Sequence, residues 1–261
     1  MRLTTDFLRM WQYCPMQALL CAVHGDCPLS IVTRGCISRA LSKCLDKRRK
    51  FQPEHLSMEF DQEYSAQASH LDLRTFAANG TRALNAANKL AATLVRALEG
   101  GWTILGAETR FTLDLAEDNL LGSEGHGHQL IHTVDMVLRD PYKMTRLASF
   151  SPTSLVKFEA QRELFRSLDV QLNHLVTRVC AREPTEMALI SIFHEQVLVW
   201  DASAQEGVRI LSELHDTILG VNHHLAPHRT VSGVYCQGCP VQSLCDDPKV
   251  HDIIVRKGVL L

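Results

Sequence analysis

The segment "YCQGCPVQSLC" sets Cys236, Cys239 and Cys245 close together on a short stretch broken by Gly238 and Pro240. Thiolates are metal ligands, and both a tetrahedral Zn2+ and a cubane iron–sulfur cluster take four of them, so the triplet needs a partner from elsewhere. Cys14, in "WQYCPMQALL", is the leading candidate because it precedes a proline at a helix junction, a position that turns the chain out of helical geometry and its thiol outward. Cys21, Cys27, Cys36, Cys44 and Cys180 compete with it. Nine cysteines in a short secreted chain would suggest disulfides; in a chain of 261 residues with clustered C-x2-C spacing they point to metal or cluster binding in a reducing compartment. The plainer alternative is three unrelated buried thiols.

The remaining chemistry-bearing residues are carboxylates and cations. Glu108 in "GAETRF" and Asp135 in "HTVDMVL" lie on two apolar runs of strand type, where a lone carboxylate is ordinarily a solvated strand-end group. Arg39, Lys43, Lys47 and Lys50 recur at near-helical spacing, reinforced by Arg48 and Arg49, as a basic stripe that is either a solvated face or a phosphate contact. His126, His128 and His132 in "HGHQLIH" have spacing that could suit a metal, with polar imidazoles on a Gly-rich connection as the plainer reading. There is no G-x-S-x-G nucleophile elbow and no phosphate-cradling glycine loop.

These residues must be positioned by an α/β chain. Apolar periodicity predicts helices over 4–22, interrupted at Pro15, over 30–50 and over 71–98. After Gly100-Gly101 the pattern changes to strands over 102–115, 129–140 and 144–151, followed by a helix over 162–180, one or two strands over 186–200 and a helix over 204–225. The expected organisation is one domain over 1–261, with a helical N-terminal region (1–100), an α/β core (101–200) and a C-terminal helix with the cysteine segment (201–261). The 46% hydrophobic content suffices for a substantial core. Lys+Arg 27 against Asp+Glu 29 excludes a globally basic protein, so an acidic partner would be met by a local patch. No long apolar run or signal-type segment is present, which implies a cytoplasmic protein, or one in the host cytoplasm if phage-encoded, with no membrane association.

An N-terminal Y-C-P on a helix, a strand carrying Glu108, the V-D strand of Asp135, a helix with "VQLNHL" and a terminal C-x2-C-x5-C together resemble the RecB-like branch of the PD-(D/E)XK nucleases. Within it the chain is most similar to members with a four-cysteine 4Fe-4S staple, namely AddB-type nuclease domains and CRISPR-associated adaptation exonucleases. The resemblance covers nearly the whole chain. It implies a restriction-endonuclease-like core, a mixed central sheet flanked by helices, and it implies Cys14, Cys236, Cys239 and Cys245 as cluster ligands, with Zn2+ the alternative occupant. It also implies Glu108 and Asp135 as carboxylates for Mg2+ or Mn2+, Gln171 as the helix-motif glutamine, and DNA, single-stranded or a duplex end, as partner beside a helicase or another replication or recombination subunit.

The third motif departs from the family. Aligning Phe150 with the family's aromatic puts Ser149 where the acid belongs and Ser151 where the lysine belongs, and neither hydroxyl supplies the missing charge. Gln171 agrees with this register. His132 stands where the family has a glycine before Asp135, and Arg39 where it has a histidine after Gly35. A relocated third motif at Glu159-x-Gln161, in "VKFEAQRE", would rescue activity as a metal-dependent exonuclease. The expectation is a catalytically degenerate protein that binds DNA or serves as a structural subunit in replication, recombination or repair. The third reading is a zinc-stapled protein-interaction module.

Overall fold

The computed structural model describes residues 2–24, 29–46, 51–67, 73–118, 126–151, 168–180, 185–191 and 196–201, with positions 120 and 122 and scattered positions from 212 to 249. The first turn of chain is a short strand, β1 (Arg2–Thr4), that passes directly into α1 (Thr5–Tyr13). Thr4 caps that helix by accepting from the Phe7 amide at 3.2 Å, which satisfies one of the amides the first turn leaves open. Pro15 then forces the residue before it out of helical geometry: Cys14 is extended (φ −157°, ψ 105°), and α2 (Pro15–His24) starts afresh.

Three helices follow, α3 (Leu29–Asp46), α4 (Pro53–Ala66) and α5 (Leu73–Glu99). The strands are β2 (Thr103–Asp114), β3 (Gln129–Arg139), β4 (Thr145–Ser151), β5 (Thr185–Ser191) and β6 (Gln196–Asp201), with α6 (Leu168–Cys180) between β4 and β5 and a short α7 (Gln242–Cys245) late in the chain. The sequence periodicity anticipates these elements with three exceptions, one of them the short α7 in a segment read as irregular. α4 was not expected, although Pro53 opens it and Leu56, Phe60 and Tyr64 repeat every fourth residue to form its buried stripe. β1 is too short to show a period. The helix expected over 204–225 falls almost wholly outside the described residues.

The strands make one mixed sheet in the order β1-β3-β4-β5-β6, with β2 also on β3, and helices flank it. β1 is parallel to the start of β3, β4 is antiparallel to its end, β5 is parallel to β4 and β6 antiparallel to β5. The α/β class and the mixed sheet flanked by helices are therefore as expected. No described helix is long and apolar enough to cross a membrane.

The chain gathers into two compact units. One comprises 1–28, 112–132 and 204–261; the other comprises 29–111 and 133–203. In the second, α3, α4 and α5 pack their apolar stripes on Met136, Leu138, Ala148, Phe150, Ala188 and Ile190 of the sheet. Strand alternation fixes what faces that core: Ala148 and Phe150 point into it, and Ser149 between them is turned to α6, where it accepts from Asn173 Nδ2 at 2.9 Å. The β3–β4 turn sets the register. The Asp140 amide donates to the Met144 carbonyl (3.0 Å), the Met144 amide donates to Asp140 Oδ1 (2.8 Å), and Lys143 takes the left-handed conformation (φ 71°) that closes the turn. Pairing then runs from Arg139↔Thr145 to Met136↔Ala148, which brings the Ser149–Phe150 peptide alongside Asp135.

Candidate functional site

Asp135 sits in the buried middle of β3, with the wholly buried Val134 and Met136 on either side. A carboxylate so placed must find donors within the protein. Arg34 on α3 supplies two, through Nε (2.7 Å) and Nη2, both to Oδ2. The Phe150 amide donates to the same oxygen at 2.7 Å, and Ser38, one helical turn beyond Arg34, donates to Oδ1 at 2.6 Å. The Arg34 guanidinium is shared: Nη1 reaches Asp169 Oδ1 on α6 at 3.1 Å. One buried cation therefore holds two carboxylates from different elements, and its side chain is 8% exposed.

The two retained acids of the sequence reading differ in setting. Glu108 lies within β2 in the left-handed region (φ 51°), a conformation that is strained for a residue with a side chain and that re-aims it out of the regular strand alternation. Burial pushes its carboxyl above the ordinary value; Arg39 opposes that shift, and Glu63 and Asp135 add to it. Glu108 and Asp135 are thus near enough to repel one another. Ser149 is buried beside Asp135 and engaged by Asn173, and Gln171 is buried on the same helix. Glu159 and Gln161, the relocated third motif, lie outside the described residues.

Of the basic stripe, Arg39 and Lys43 are described, and both pair with Glu63 of α4. Arg39 Nε donates to Oε2 at 2.7 Å and Lys43 Nζ pairs with Oε1. Burial pushes the Glu63 carboxyl up, and the Lys43 and Arg39 hydrogen bonds more than reverse this, so it ends below the usual range. Arg39 also donates to Cys36 Sγ at 3.4 Å, yet burial raises that thiol to about 11 and keeps it unreactive. Lys47, Arg48, Arg49 and Lys50 lie outside the described residues. His132 is fully buried, with Nδ1 2.9 Å from the Thr5 hydroxyl, and serves the seat of α1.

The cysteines of the other unit come together. Burial holds the Cys239 thiol above its usual value against the Val241 amide that lowers it, and the nearby Cys14, Cys245 and Cys236 thiols push it up as well, so these three lie close to Cys239. Cys236 and Cys239 are joined by a turn in which the Cys239 amide donates to the Cys236 carbonyl at 3.1 Å, and α7 carries Cys245. Gln17, one turn beyond Cys14 on α2, donates from Nε2 to Cys239 Sγ at 3.5 Å. None of the four is joined in a disulfide. The donor set suits a cluster or Zn2+ in type. Among the described residues, however, no group of three or more His, Cys, Asp or Glu side chains is arranged to hold a metal ion, so the thiols are neighbours without a finished ligand shell. The divalent ion implied at Asp135 fits less well still, because the carboxylate is already saturated by Arg34, Ser38 and the Phe150 amide.

Arg34, Ser38, Asp169 and Asn173 were not singled out from sequence. The one available signal was the spacing of Arg34 and Ser38, four residues apart with only Gly35, Cys36 and Ile37 between them on α3.

No family model and no curated protein matches the chain. Among solved structures, the crystal structure of SSO0001 is similar at 11% identity, over 83% of this chain and 96% of that one, with a TM-score of 0.39, a level of likeness that carries no functional argument.

Two predictions follow from the ion network. Asp135→Ala leaves a buried guanidinium short of a partner and is expected to lower unfolding stability by roughly 3–5 kcal/mol in denaturant titration; an unchanged or raised stability would show that Asp135 does not hold Arg34. Glu108 binds its proton more tightly folded than unfolded, so wild-type stability should fall as pH rises from the ordinary glutamate range through the raised value. Glu108→Gln is accordingly expected to raise the melting temperature at neutral pH, with the gain vanishing below the ordinary glutamate range.

Proposed function

We propose that this protein is an iron–sulfur-stapled, PD-(D/E)XK-like scaffold that binds DNA without cutting it, as a subunit of a replication, recombination or repair assembly. The observation that carries the reading is the Asp135 carboxylate, whose oxygens are taken by Arg34, Ser38 and the Phe150 amide. Metal-dependent phosphodiester hydrolysis needs open carboxylate oxygens to hold a hard cation and an ammonium to stabilise charge. Here the neighbouring strand offers Ser149, a neutral hydroxyl already bonded to Asn173, in the position of the acid. Loss of the third motif and occupation of the second act in the same direction.

A scaffold of this kind uses cations for phosphate contact. Arg39 and Lys43 retain side-chain exposures of 37% and 48% while paired with Glu63, so they can serve phosphate at the edge of an ion-paired patch. The four converging thiols support a 4Fe-4S cluster as the tie between the α1–α2 junction and the late cysteine segment. Its contribution when bound is structural cross-linking, and Gln17 is placed to orient Cys239 within it.

The test uses full-length protein prepared without oxygen and assayed for iron, acid-labile sulfide and zinc, then for retention and cleavage of labelled single-stranded and duplex DNA in Mg2+ or Mn2+. Iron with sulfide, DNA retention weakened in Lys43→Glu, and intact DNA are expected. Zinc without sulfide would replace the cluster, and cleavage abolished by Asp135→Ala would overturn the non-cutting reading.

A further inference from the structure

The geometry points to Arg34 as a built-in cation: its guanidinium occupies the place a divalent ion would need between Asp135 and Asp169, so arginine and metal exclude one another there. Nε and Nη2 face Asp135 Oδ2, and Nη1 faces Asp169 Oδ1 at 3.1 Å, so the positive charge lies between two carboxylates carried by β3 and α6. The Ser38 hydroxyl and the Phe150 amide complete the shell from α3 and β4. Four elements, α3, β3, β4 and α6, thus each spend a donor or a carboxylate on this one arrangement.

The distinction between an arginine and a metal at this place is chemical. A guanidinium is charged at any pH the protein meets, cannot exchange with solvent and offers donors in a fixed fork, whereas Mg2+ or Mn2+ demands several oxygens around a point charge and carries water to be activated. With Arg34 in place the site keeps its charge balance and loses its open coordination positions. Removing the side chain would leave two carboxylate oxygens and the Ser38 hydroxyl around a vacated volume, which is oxygen chemistry suited to a hard divalent cation. Arg34 is a positioning residue in the present chain, since it fixes Asp135 and Asp169.

This inference deepens the non-cutting reading and rests on it in one respect, that no metal is held at Asp135. Mn2+ uptake is therefore followed without DNA, by the electron paramagnetic resonance signal of the free ion, on the whole chain. Wild type is expected to show no Mn2+ that depends on Asp135, and Arg34→Ala to bind one ion more tightly than wild type by about tenfold or more. The Arg34→Ala/Asp135→Asn double variant should lose that ion. A stoichiometric Mn2+ on wild type that Asp135→Asn removes would overturn the inference, as would an Arg34→Ala chain with native circular dichroism that binds none. If Arg34→Ala does not fold alone, recovery of its helical signal in Mn2+ supports the inference, and failure to recover overturns it. Wild type that cleaves DNA without Mn2+ at Asp135 would sink the functional reading alone; wild type that binds Mn2+ there and never cleaves would sink this inference alone.

Discussion

A buried arginine shared by two carboxylates is the constraint on which the described sheet-and-helix unit depends. Desolvating Arg34, Asp135 and Asp169 is costly, and the arrangement is tolerable only because each charge is hydrogen-bonded in full view of the others. The consequences reach four elements. α3 must present Arg34 and Ser38 one turn apart, β3 must carry Asp135, α6 must bring Asp169, and the β3–β4 turn must hold register so that the Phe150 amide arrives at the same oxygen. A slip of one residue in β4 would turn Ser149 into the core and Phe150 toward α6.

The same constraint explains why a nuclease-like pattern of residues need not be a nuclease site. Carboxylates at strand positions are recognisable in sequence by their placement, but their chemistry depends on what neutralises them. At Asp135 the neutralising group is part of the chain. Glu108, by contrast, keeps a strained backbone and a carboxyl that burial pushes above its ordinary value, with Arg39 only partly opposing the shift. The two acids look equivalent in sequence and are physically opposite.

Much of the fold was legible because it rests on local rules. Pro15 forces the break in helical geometry at Cys14, Thr4 caps the first helix, and short apolar runs bounded by turn signals mark β3 and β4. α4 was readable from Pro53 and its four-residue repeat, and was overlooked because its apolar residues are interleaved with acidic and polar ones. The site was legible only in part. Asp135, Glu108 and Ser149 could be found by pattern, whereas Cys14 was one of six cysteines that could join the late triplet until the family resemblance favoured it; it does lie near Cys239. Arg34 could not be found, because its partners lie 101 and 135 positions away and an arginine on a helix looks the same whether it faces solvent or a buried carboxylate.

The measurement that bears most directly on this account is anomalous diffraction from wild-type crystals equilibrated with Mn2+. The account predicts no anomalous peak within ligand distance of the Asp135 carboxylate, with the Arg34 guanidinium lying on it. A strong peak at that carboxylate, with Arg34 turned away, would contradict it.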